Sequence, residues 1–171
     1  MKRTLATVLT AAFLLALVPG ITGCKVTPKK WYEPTLEYYS NGIKNGFEQE
    51  FRNLPVPDDL KDKSKQQGYL LIDLDKDGVD ELLIGLIDDG PSTKFTNVIV
   101  FHSDLGPYSL LTGSSRSYIS LCYDNVIVMG DGSSSYDQPT YMRWNHKDNA
   151  FNVIDGEGKF LPTKWDLTPF T

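Results

Sequence analysis

The chain has 171 residues, with 17 Lys and Arg against 22 Asp and Glu, a formal net charge of −5. An acidic chain meets a phosphate backbone with repulsion, which excludes nucleic acid as a partner. Residues 1–23 carry no acid, the two bases Lys2 and Arg3, and an apolar run from Leu5 to Val18. That run is too short for an ordinary bilayer span and reads as the apolar region of a secretory signal. Removing it leaves 148 residues with a formal charge of −7, enough chain for one domain with a real core. No later apolar run approaches the about 18 residues of a membrane-spanning helix.

The signal region ends in Ile21-Thr22-Gly23-Cys24. This segment resembles the lipobox of bacterial lipoprotein precursors, in which cleavage makes the cysteine the first mature residue after acylation on sulfur. The resemblance implies a signal peptide over 1–23, lipid on Cys24 and a membrane partner held through that lipid. Each buried methylene contributes about 0.8 kcal/mol, so two acyl chains anchor a protein that one would hold marginally. Residues 24–33 then read as the lipidated cysteine and a tether, whose Lys25, Lys29 and Lys30 can face anionic headgroups. The ectodomain is expected over 34–171, on the extracytoplasmic face.

Along that ectodomain, Leu36, Tyr39, Ile43, Phe47, Phe51 and Leu54 recur every three or four positions and predict a helix from Pro34 to Leu54. Gly42 and Gly46 weaken it, so it needs a packing partner. A short helix is expected near Asp58-Asp59. From residue 69 the period changes to two. Strands are predicted at 69–72, 81–87, 96–101, 108–111, 117–123, 126–129, 140–144 and 151–154, separated by Asp-, Asn-, Gly- and Pro-containing turns. The fold class expected is α+β, mostly β: an antiparallel meander or sandwich-like sheet with the N-terminal helix packed on it.

The stretch Asp73-Leu74-Asp75-Lys76-Asp77-Gly78-Val79-Asp80-Glu81-Leu82 carries the most chemistry. Alternate carboxylates converge when such a chain curls, Gly78 permits the turn, Val79 can offer its carbonyl, and Glu81 can close the shell. Hard oxygen donors at this spacing suit Ca²⁺, which takes 6–8 oxygens at about 2.3–2.6 Å. The loop resembles the Asp-x-Asp-x-Asp-Gly calcium loops of EF-hands, dockerins and FG-GAP repeats. An EF-hand would place Glu at the twelfth loop position, where this chain has Ile84. The strand-like flanks and the acid at the ninth position are closer to an FG-GAP hairpin, present here in one copy. The expected cofactor is one structural Ca²⁺ on Asp73, Asp75, Asp77, Val79 and Glu81.

Other chemistry is thinly represented. With Cys24 lipidated, Cys122 is left in an apolar strand and reads as a small buried hydrophobe, with no disulfide. No Gly-x-Ser-x-Gly, His-Glu-x-x-His or phosphate-loop motif occurs, so the chain does not read as an enzyme. His102 and His146 fall at a strand end and a turn and read as surface residues. All aromatic residues but Phe13 lie beyond the signal, many of them in the β region. Tyr136 and Tyr141, with Arg116, are the candidate surface that would stack on a glycan or grip a protein partner. The functional expectation is a surface binding or interaction module; the alternative is an envelope hydrolase acting on glycan through a pair of carboxylates.

Overall fold

The helical spacing holds, but the helix itself starts and stops earlier than the apolar period suggests. In the computed structural model, which describes residues 29–49, 51–102, 105–114, 117–131, 138–156 and 159–171, helix α1 covers Lys29–Asn45. It takes in Lys29–Glu33, read from sequence as tether, and it carries Pro34 in its interior, where the missing N–H leaves the Lys30 carbonyl without a helical donor. Gly46 ends it with φ +104°, a left-handed conformation that costs glycine little. Beyond that break the chain doubles back, so Phe47 and Phe51 still pack on Tyr38 and Tyr39 of α1. The period of the apolar residues is therefore satisfied by a helix plus a returning loop. A short helix α2 follows at Asp58–Lys61, burying Leu60.

Nine strands follow among the described residues: β1 (Gln66–Ile72), β2 (Glu81–Ile87), β3 (Lys94–His102), β4 (Gly106–Thr112), β5 (Ser117–Leu121), β6 (Ile127–Asp131), β7 (Thr140–Asn145), β8 (Ala150–Ile154) and β9 (Thr168–Pro169). They form one sheet in the order β8-β7-β6-β5-β3-β2-β1-β9, with β4 pairing β3. The strand pairings are antiparallel. The eight strands read from the sequence are all present. β9 is an addition: its two residues pair with Gly68 and Tyr69 on β1, too short a segment to show a period.

Burial on both faces explains the layers. In β2, Leu82 and Ile84 pack with Tyr32, Tyr39, Leu54, Leu60 and Ile99 under α1 and α2. The intervening Leu83 points the other way, into a second cluster with Phe95, Val98, Ile119, Leu121, Ile127, Met142 and Trp144. That second cluster joins β2 and β3 to β5, β6 and β7, so the sheet folds over on itself and its far half covers the face the helices leave open. A buried polar tie holds the helical layer: Tyr39 Oη donates to the Pro55 carbonyl at 2.8 Å, and Asn97 Nδ2 donates to the same carbonyl at 3.1 Å. No helix among the described residues is long and apolar enough to cross a membrane.

Candidate metal centre

The loop between β1 and β2 is shaped by its own aspartates. Asp73 follows the last residue of β1, and its Oδ1 and Oδ2 accept the N–H groups of Asp77 at 3.0 Å and Gly78 at 2.8 Å. Asp77 Oδ1 accepts the N–H of Val79 at 2.7 Å. These side-chain turns curl the chain locally, helped by Lys76 at φ +65° and Gly78 at φ +92°. At Gly78 a side chain would meet no steric neighbour, so backbone conformation alone favours glycine there. Between the acids, Leu74 is buried in the cluster that contains Trp144 and Leu83. Its N–H donates to Glu81 Oε2 at 2.8 Å. The loop is thus pinned into the core by one side chain and closed on itself by one carboxylate.

Two distant turns receive the loop. Asn125, after β5, donates from Nδ2 to the Asp73 carbonyl at 2.8 Å. His146, after β7, donates its backbone N–H to Asp75 Oδ2 at 2.8 Å, and its Nδ1 lies 2.7 Å from the same oxygen. Nδ1 is also 3.5 Å from Asp77 Oδ2. Four strands separate β1 from β7 in the sheet, so only the folding-over of the sheet brings them together.

The result is two overlapping donor sets. Single oxygens of Asp73, Asp75 and Glu81 lie within 4.8 Å of one another, as do ligand atoms of Asp75, Asp77 and His146. The first set is the more enclosed: Glu81 is buried, and the Asp75 side chain is 8 % exposed. Asp75 Oδ1 is buried with no hydrogen-bond partner, although a buried, unsatisfied acceptor is costly. A cation bound at that oxygen would satisfy it. Three carboxylate oxygens this close suit joint hold of one ion.

The electrostatics point the same way. Burial, added to by the charges of Asp75, Asp77 and Asp73, pushes the Glu81 carboxyl up to about 8 against the Leu74 N–H, which favours its ionised form. Burial and the charge of Asp73 also raise Asp80. Burial, then Glu81, Asp80 and Asp77, push up the phenol of Tyr32 on α1. Among the described residues His146 is the one basic group within 4 Å of the loop carboxylates.

A pH dependence follows for the metal-free protein. The folded-state value of Glu81 lies above its ordinary 4.5, so between the two the folded state holds a proton that the unfolded state releases. The stability from that proton is complete below about 4.5 and is lost as pH rises through about 8. In chelator, the melting temperature of the parent is expected to fall from pH 5 to pH 8 more steeply than that of Glu81→Gln. Parallel profiles would remove Glu81 as the source.

The other residues singled out from sequence are not assembled into this centre. Cys24, Arg116 and Tyr136 lie outside the described residues, as does the side chain of His102. Tyr141 is half-buried against Phe160, with ring centroids 6.1 Å apart, so this ring is part of a packed cluster. Cys122 is a buried free thiol, pushed up by burial and by Asp124, as expected of a residue that packs rather than reacts. The functional neighbour that sequence reading missed is His146, 71 residues from Asp75; no local pattern marks that pairing. Compared with protein-family models, curated proteins and solved structures, the chain finds no match in any of the three.

Proposed function

We propose that this chain is a lipid-anchored extracytoplasmic protein, held by acylated Cys24, whose β ectodomain carries one structural Ca²⁺ and serves as a surface binding or interaction module. The observation that carries the ion is Asp75: an almost fully enclosed carboxylate with one oxygen unpartnered, beside Asp73 and Glu81. Asp73, Asp75, Asp77 and Glu81 supply carboxylate oxygens, and the Val79 carbonyl completes the set. The ion neutralises acids that otherwise repel one another and ties the first hairpin to the turns after β5 and β7. The anchor rests on the basic start, the apolar run and Ile21-Thr22-Gly23-Cys24. Sites outside the cytoplasm meet millimolar Ca²⁺, where even Kd values of about 10⁻⁴–10⁻³ M suffice.

Calorimetric titration of protein beginning at Lys25 tests the ion: one Ca²⁺ per chain for the parent and none for Asp75→Ala is the expected result. Absence of heat and of any thermal shift at millimolar Ca²⁺ would reduce the loop to an acidic turn. For the anchor, Cys24→Ser is expected to move the protein from the membrane fraction to the soluble one. Retention in the membrane would refute lipidation at that residue.

A further inference from the structure

Asp75 presents different partners to its two oxygens. Oδ1 is the enclosed, unpartnered atom, while Oδ2 faces the turn after β7, within 2.7 Å of His146 Nδ1. Asp77 Oδ2 stands 3.5 Å from the same nitrogen. Edges of roughly 3 Å are those of an octahedron whose ligands lie about 2.1 Å from the ion, the distance typical of small divalent cations. The turn is accessible: the His146 side chain is 45 % exposed, and that of Asp77 is 20 % exposed. A cation can therefore reach this side of the loop without opening the core.

We infer that Asp75, Asp77 and His146 form a nitrogen-bearing donor set that takes a first-row divalent ion, Mn²⁺ being the representative probe. This rests on the reading of the loop as a cation site and adds a selectivity that oxygen donors alone do not give. Imidazole suits Fe²⁺, Ni²⁺, Cu²⁺ and Zn²⁺, and Mn²⁺, chiefly an oxygen-binding ion, takes it among carboxylates, whereas Ca²⁺ is bound by oxygen. In the metal-free protein Nδ1–H donates to Asp75 Oδ2. When the ion binds, the proton resides on Nε2, and the Nδ1 lone pair faces the metal. The backbone N–H of residue 146 continues to hold Asp75 Oδ2 whatever side chain follows, so replacing the imidazole removes a ligand without releasing Asp75. Asp75 is common to both donor sets, and Asp77 to this set and the proposed Ca²⁺ ligands, so the two ions compete for the loop.

The test titrates the full chain in detergent with Mn²⁺ and, separately, Ca²⁺, comparing the parent with His146→Gln. The expected result is a loss of about tenfold or more in Mn²⁺ affinity, with Ca²⁺ affinity changed by less than about twofold. Electron spin-echo spectra of bound Mn²⁺ should show modulation from a directly bound nitrogen in the parent and none in the variant. Parallel losses for both ions, unchanged Mn²⁺ affinity, or a parent spectrum without nitrogen modulation would each overturn the inference and leave His146 holding Asp75 in place. A parent that binds neither ion overturns the cation reading as a whole. Binding of Mn²⁺ with nitrogen modulation but no binding of Ca²⁺ supports this inference and refutes the choice of Ca²⁺.

Discussion

Asp75→Asn is expected to raise the melting temperature of the protein in chelator at pH 8 and to abolish the further rise that Ca²⁺ gives the parent. The two effects have opposite signs because the substitution acts on one atom in two states. Without metal, Asp75 brings a negative charge to within 4.8 Å of oxygens of Asp73 and Glu81 and keeps one buried oxygen without a partner. An asparagine keeps an acceptor for the His146 N–H groups and turns an N–H donor toward the remaining acids, a change of about 0.5–1.5 kcal/mol in favour of the fold. With metal, the parent gains RT ln(1 + [L]/Kd), about 2.7 kcal/mol at 100 times Kd. For a domain of this size that is a rise of roughly 5–10 °C, and the variant, lacking the central carboxylate, should show none of it. Thermal unfolding of both proteins, with chelator and with millimolar Ca²⁺, supplies all four values. A fall for Asp75→Asn in chelator would mean that the loop is already satisfied without an ion.

The second large effect is expected at Leu74, which belongs to the core and to the loop at once. Its side chain is 4 % exposed, packed in the cluster of Leu83, Ile119 and Trp144. Its N–H holds Glu81, and its neighbours in sequence are Asp73 and Asp75. Leu74→Ala should cost about 2–5 kcal/mol, the range for emptying a buried leucine site, and should weaken Ca²⁺ as well. Ile119→Ala, in the same cluster but on β5, should cost a comparable amount and leave Ca²⁺ affinity unchanged. Denaturant melts and calorimetry on the two variants separate these outcomes. Equal Ca²⁺ affinity in both would show that the loop keeps its shape without its apolar pin.

Particular elements show why some of this was readable from the chain alone. Strands β2, β3, β7 and β8 follow a local rule, β-branched and aromatic runs bounded by turn residues. The apolar period gives helix α1 in kind but not in extent. Phe47 and Phe51 satisfy the same apolar face from a loop that folds back after Gly46, and a periodicity count cannot separate a continuing helix from a returning one. The two-residue β9 carries no period; its place depends on the free edge of β1.

The curl of Asp73–Gly78 was likewise available to sequence reasoning, since aspartate side chains capping amides a few residues ahead act over a single turn. Closure by Glu81 follows because hairpin pairing brings that residue opposite Ile72. The class of fold, its strands and the set of acids in one loop are therefore products of local stereochemistry and legible along the chain. That Leu74 is core, that Asp75 is enclosed, and that His146 and Asn125 meet the loop emerges only when the sheet closes. The cause is that β2 and β3 carry apolar side chains on both faces. Helices cover one face, and the sheet folds over to cover the other, a non-local demand for burial that draws the turns after β5 and β7 onto the acids.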